Sequence, residues 1–142
     1  MTSAPDQQVV QVVGPDDRWI LERLGRRLAV KLPYAVFTVN EPDRGVGEGI
    51  AYYMNYALFQ GPTSFIDVGF FTHLEYSHDF RGRARDMDWC VCMSKKYADW
   101  LREQGVEHVT HIPMGFDYYR YRARLVLGVI GKLDHPRKGQ QL

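Results

Sequence analysis

Six short apolar runs divide the first 113 residues of this 142-residue chain: "VVQVV" (9–13), "YAVFTV" (34–39), the first half of "IAYYMNYALF" (50–59), "SFIDVGFFTH" (64–73), "WCVCMS" (89–94) and "EHVTHIP" (107–113). Most are rich in β-branched or aromatic residues and read as buried strands. A strand that reads as apolar throughout, with no polar alternation, is covered on both faces, and this is the pattern of a parallel sheet. Between the runs lie helical patterns. After Gly14-Pro15, Asp16 or Asp17 is placed to cap a helix whose apolar stripe is Ile20, Leu24 and Leu28, with Leu21 beside it. Its basic residues, Arg18, Arg23, Arg26, Arg27 and Lys31, fall mainly on other faces. A second helix is expected over 95–104, with Tyr97, Ala98 and Leu101 inward and Gly105 as its stop. The Asn40-Glu41-Pro42-Asp43 turn closes the second strand, and "GVGEG" (45–49) reads as a flexible loop. The fold class that follows is α/β: a Rossmann-like open parallel sheet with helices on both faces.

In such sheets ligands bind beyond the carboxyl ends of the strands. That rule selects Gly14 after the first strand, Asn40 and Glu41 after the second, and His73, Leu74 and Glu75 after the fourth. It adds Ser94 after the fifth and Met114 and Gly115 after the sixth.

Charge is uneven along the chain. The formal net charge is +1, yet residues 118–142 hold six of the 18 Lys/Arg and one of the 17 Asp/Glu. A mildly acidic body with a basic tail suggests two structural units, with an anion near the second. The two cysteines, Cys90 and Cys92, would face one side of a strand, an arrangement unsuited to a disulfide and too few for zinc. They read as small buried thiols in a reducing compartment. "MTSAPDQQ" lacks the basic start and apolar core of a signal peptide, and no apolar run approaches a membrane span, so a cytoplasmic protein is expected. Nothing resembles a nucleic-acid signature: there is no zinc-finger spacing and no basic stripe with interleaved aromatics.

Beyond Asp117, "RLVLGVIG" (124–131) is a further apolar strand, and "KLDHPRKG" is a basic, proline-containing loop. One strand and one loop do not make a domain. The expected division is therefore a domain at 1–117, followed at 118–142 by a linker and either the opening of a second domain or an extra strand. An orphan strand should pair with an edge of the first sheet or with another copy of the chain, which makes a homodimer one expectation.

"CMSKKYADWLREQGVEHVTHIPMGFD" resembles the end of the N-terminal domain of GT-B fold glycosyltransferases, where a strand ending in Ser leads to a helix, a Gly, a short strand and a Pro-Asn-Gly-Val-Asp-like turn. "LGVIGKLDHPRKG" resembles the first strand and phosphate-binding loop of that family's C-terminal domain, typically with Gly-Arg before the loop and Lys-Gly after it. The combination is similar to the retaining family 4 enzymes. Two departures stand out: Met114 occupies a common asparagine position, and Lys132 a common arginine position, which keeps the charge without the bidentate fork.

The resemblance implies transfer of a sugar from a nucleotide diphosphate sugar to an acceptor (a saccharide, lipid or small molecule), with retention and no cofactor or metal. Lys132, Arg137 and Lys138 would hold the donor diphosphate and stabilise the charge that develops on it. Gly14 would admit the diphosphate close to the backbone, although Asp16 and Asp17 put negative charge there, and a plain turn explains the glycine as well. His73 would contact the sugar or assist transfer. Asn40, Glu41, Asn55, Glu75, Ser94 and Gly115 are the substrate-side candidates. His73, Glu75 and His78 have a spacing that could attract a metal, but no further ligand is evident, and none is expected.

The family's second domain continues well past this loop and carries a paired-glutamate motif absent here. The expectation is therefore about half an active site, inactive alone, with a stand-alone interaction or regulatory domain as the alternative. A generic dinucleotide-binding domain is disfavoured by the lack of a Gly-x-Gly-x-x-Gly run. The aromatics Tyr52, Tyr53, Tyr56 and Phe59 read as packing. The arginines of the first helix, with Arg81, Arg83 and Arg85, would serve either a solvated face or contact with a membrane surface or anionic acceptor.

Overall fold

The computed structural model describes residues 9–18, 20–46, 49–74 and 78–113. The expectations for Glu75, Met114, Gly115, Lys132, Arg137, Lys138 and the unit at 118–142 lie outside these residues.

Among these residues, six parallel strands form one sheet: β1 (Val9–Gly14), β2 (Ala35–Val39), β3 (Gly49–Tyr53), β4 (Ile66–Phe71), β5 (Trp89–Cys92) and β6 (Val109–His111), in the order β2-β1-β3-β4-β5-β6. Three helices accompany them: α1 (Ile20–Lys31), α2 (His78–Asp86) and α3 (Lys95–Glu103). The chain winds one way from β1 to β2 and the other way from β3 to β6. Right-handed crossovers in opposite directions put helices on opposite faces. Accordingly α1 supplies Leu21, Leu24 and Leu28 to a core with Val12, Met54, Phe70 and Val91. On the other face, α2 and α3 supply Phe80, Ala84, Ala98 and Leu101 to a larger core with Val13, Tyr53, Phe71, Cys90 and Cys92.

The register explains the two sets. Val12 lies opposite Tyr52, and Tyr52 opposite Val68, so these side chains share the α1 face; Val13, opposite Tyr53, points to the other. Cys90 and Cys92 likewise face one side as fully buried free thiols.

Several local expectations need correction. α1 starts at Ile20, the Glu22 carboxylate accepts from the Arg18 N–H ahead of it, and Ile20 turns outward, 52% exposed. β2 begins at Ala35, a residue later than read, and β4 and β6 are shorter than their apolar runs. The 45–49 segment is not simply a loop: a 3-10 turn occupies Arg44–Val46, and Gly49 already begins β3. The helix α2 was not anticipated at all.

Its arginines are also more occupied than a solvated face implies. Arg83 donates to the carbonyls of Tyr56, Ala57 and Phe59, Arg81 to Gln104 Oε1, and Arg85 to the Gln104 carbonyl. These bonds tie α2 to the turn after β3 and to the end of α3.

The crossovers β2→β3 and β3→β4 hold no α-helix among the described residues, only the turns at Arg44–Val46 and Tyr56–Leu58. Loops must therefore cover that part of the sheet, and buried polar groups anchor them. Gln11, 1% exposed in mid-strand, donates from Nε2 to the Asp43 carbonyl (3.0 Å) and accepts the Asp43 N–H at Oε1 (2.7 Å). One amide side chain thus satisfies both backbone groups of a residue 32 positions away.

Candidate functional site

The carboxyl edge of the sheet runs through the ends of β2, β1, β3, β4 and β5, and most of the described candidates lie along it. Gly14 ends β1, and its carbonyl accepts the Asn40 N–H at 2.9 Å, so these two are brought together directly. Asn40 holds φ at +63°, a left-handed conformation that asparagine tolerates better than most residues. Gly14 has a packing reason of its own: a Cβ there would lie 2.5 Å from the Phe37 ring. The glycine is thus required by the β1–β2 side of the core, whatever approaches its backbone.

His73 follows β4. Its Nδ1 lies 3.1 Å from Thr72 Oγ1 and its Nε2 3.4 Å from Tyr56 Oη, so a hydroxyl faces each ring nitrogen. A hydroxyl both donates and accepts, so this pair suits either neutral tautomer and also the cation. Tyr56 is itself held in an aromatic cluster, stacked on Phe71 at 4.9 Å and edge-on to Phe80 at 4.9 Å. The exposed imidazole therefore stands on a rigid base, as a polar contact or proton-carrying group requires. The four aromatics Tyr52, Tyr53, Tyr56 and Phe59 are packing residues, as expected: Tyr53, Tyr56 and Phe59 are at most 3% exposed, and Tyr52 stacks on Phe70.

Ser94 follows β5 as the N-cap of α3, its Oγ accepting from the Tyr97 N–H at 3.4 Å. Its hydroxyl thus has a structural task at the edge next to His73. Asn55 similarly caps the turn at Tyr56–Leu58 through Ala57 N–H.

Glu41 leads away from the edge into a cleft of about 480 Å3, bounded also by Arg44, Tyr53, Gln60, Thr63 and Phe65. This is the space left where the two crossovers lack helices. Glu41 and Arg44 also border a shallower hollow with Thr38 and Asp43, so the 41–44 loop forms a ridge between two depressions. The cleft wall carries acid, base, hydroxyl and apolar groups together, a lining suited to a small polar ligand with an apolar face.

Beneath it lies a residue that sequence reasoning missed. Asp67 is 1% exposed, and its carboxylate accepts from Tyr53 Oη (3.1 Å), Thr63 Oγ1 (2.8 Å) and the Thr63 N–H (2.8 Å). Burial, with the Asp67 charge beside it, pushes the Tyr53 phenol well above its ordinary value, so Tyr53 remains a donor. The only sequence signal was an acid inside the apolar run "FIDVGFF", since a buried carboxylate must find donors. No cluster of three metal-ligating side chains occurs among the described residues. None of their helices is long and apolar enough to cross a membrane.

No family model matches the chain, and neither do any curated protein or solved structure.

Proposed function

We propose that the chain forms the acceptor-side half of a retaining glycosyltransferase of GT-B type, which moves a sugar from a nucleotide diphosphate sugar to an acceptor. The observation that carries this reading is the carboxyl edge of the parallel sheet, where His73 stands oriented by Thr72 and Tyr56 beside the Ser94-capped helix. In this reading the imidazole contacts the transferred sugar, and the acceptor enters along the Glu41–Arg44 cleft, whose wall includes the exposed Gln60, Thr63 and Ser64. Lys132, Arg137 and Lys138, known here from sequence only, supply positive charge to the diphosphate as it departs.

The test is calorimetric titration of the chain with UDP, GDP and their common sugar conjugates. One nucleotide series should bind at micromolar levels. The K132A/K138A variant should weaken free nucleotide and conjugate alike, by tenfold or more, whereas H73A should remove only the extra affinity of the sugar conjugate. A folded protein that binds none of these ligands, or an H73A variant with an unchanged preference for the conjugate, would overturn the reading.

A further inference from the structure

The outward face of α1 is made of one kind of chemistry. Its exposed residues are Ile20, Arg23, Arg26, Arg27, Val30 and Lys31, all basic or apolar. At about 100° per residue these six fall within less than half of the helix circumference. The helix's one acid, Glu22, is buried on the side and pairs with Arg26, whose guanidinium also covers the Phe37 ring at 4.4 Å. Arg23, Arg27 and Lys31 have no carboxylate partner among the described residues. The exposed acids nearby, Asp16 and Asp17, precede the helix, so the stripe is most purely basic toward its carboxyl end.

Val30 is the feature that the fold does not explain. It is 87% exposed, the most of any large apolar residue described, and a β-branched residue on a solvated helix face also loses helix propensity. Arg26 and Arg27 stand four and three residues before it, with Arg23 a turn further back and Lys31 next in sequence, so cations flank Val30 on its amino-terminal side. An exposed apolar side chain flanked by cations complements a surface that is anionic outside and apolar within. A free polyanion would use the charges and leave Val30 in water. A neutral protein partner would use Val30 and leave the charges unmatched.

We infer that α1 is a docking surface for an anionic lipid bilayer, with Val30 and Ile20 entering the headgroup boundary and Arg23, Arg27 and Lys31 meeting lipid phosphates. Such a surface binds reversibly and depends on salt, since each basic residue adds only a modest attraction that is screened over about 8–10 Å.

The experiment is co-sedimentation of the full chain with vesicles of phosphatidylcholine alone and of phosphatidylcholine with 30% phosphatidylglycerol, at low and high salt. The expected result is binding to the anionic vesicles only, reduced by salt. R23E/R27E should weaken it by about a hundredfold, and V30S by roughly tenfold. All three positions are exposed, so circular dichroism should show both variants folded. The six basic residues of 118–142 could also attract anionic vesicles, and the variants separate the two sources. Failure of the anionic vesicles to sediment the chain would overturn the inference, as would variants that bind like the parent. Loss with R23E/R27E but not with V30S, together with equal binding to heparin, would assign the face to a soluble polyanion instead.

Discussion

A methyl group added at Gly14 would sit 2.5 Å from one carbon of the Phe37 ring and 2.6 Å from another, closer than any relaxed contact. The ring also lies close over Gly25, where a Cβ would come within 2.8 Å of it, so moving it toward that side is resisted. Gly14→Ala should therefore cost about 1–3 kcal/mol in urea denaturation, and Phe37→Leu in the same chain should restore part of that loss. If the two changes simply add, the ring is not what demands the glycine, and a role for Gly14 in admitting a ligand gains ground. Asp67 gives a second residue-level prediction. Asn in its place would turn an amide N–H2 toward a hydroxyl or N–H that now donates, so Asp67→Asn should destabilise by about 2 kcal/mol. A loss within error of zero would mean that the Thr63 and Tyr53 contacts contribute nothing net. The thiols of Cys90 and Cys92, both fully buried, are each pushed up to about 12, mainly by desolvation. Iodoacetamide at pH 8 should consequently modify neither in the native protein and both in urea, with the rate following unfolding. Fast native modification of either would contradict the packing of β5 against α2 and α3.

At the level of elements, α1 shows how a side chain inside a helix can hold the backbone ahead of its start. Hydrogen bonds from the Arg26 guanidinium and the Arg18 N–H hold the Glu22 carboxyl below its ordinary value of 4.5, against the opposing effect of burial. A carboxyl more acidic in the folded state than in the unfolded one stabilises at neutral pH, and that contribution fades as pH falls through the lowered value. The Tm difference between the parent and Glu22→Gln should thus be constant near pH 7 and shrink below pH 4.5. A difference independent of pH down to 3 would show that the charge on Glu22 is immaterial. This hydrogen bond was not legible in the sequence, because Glu22 acts from within the helix, four residues beyond the N–H it satisfies. The central strands were legible because burial on both faces makes them mostly apolar, the edge strand β2 because it is β-branched and aromatic although Val36 and Val39 are 40% exposed, and α3 because Ser94, its apolar stripe and Gly105 (φ +83°) mark both ends. The α2 segment "HDFRGRARD" hid its helix: only Phe80 and Ala84 are buried, Gly82 interrupts it, and its arginines serve carbonyls that are distant in sequence. The candidate site was legible to the same extent. Strand ends located His73, Asn40 and Ser94, but Tyr56 meets His73 across 17 residues and Tyr53 meets Asp67 across 14, pairings that no local pattern encodes.

Across the whole molecule, the sheet divides the structure into parts that should open at different free energies. Among the described residues, β1, β3, β4 and β5 each have a strand on both sides, whereas β2 and β6 are the edges, and β6 is only three residues long. The central strands also carry the residues nearest to complete burial, among them Val12, Val13, Ala51, Phe71, Cys90 and Cys92. Native-state hydrogen exchange should therefore show the slowest amides in the central four strands, with β2 and β6 opening earlier. The two crossovers without helices set a sharper test, because loops that enclose a cleft would ordinarily exchange fast. Here the Asp43 N–H is held by Gln11 and the Thr63 N–H by Asp67, two polar side chains that the sheet has buried to 1% exposure. These two amides should be protected well above their loop neighbours, with Gly61, at φ +142° and with open space where a Cβ would sit, as the unprotected reference. Protection at 43 and 63 but not at 61 would mean that the cleft keeps its shape before any ligand arrives. Equal, fast exchange at all three would mean that the walls close only around an occupant, and that the buried Gln11 and Asp67 do not anchor them.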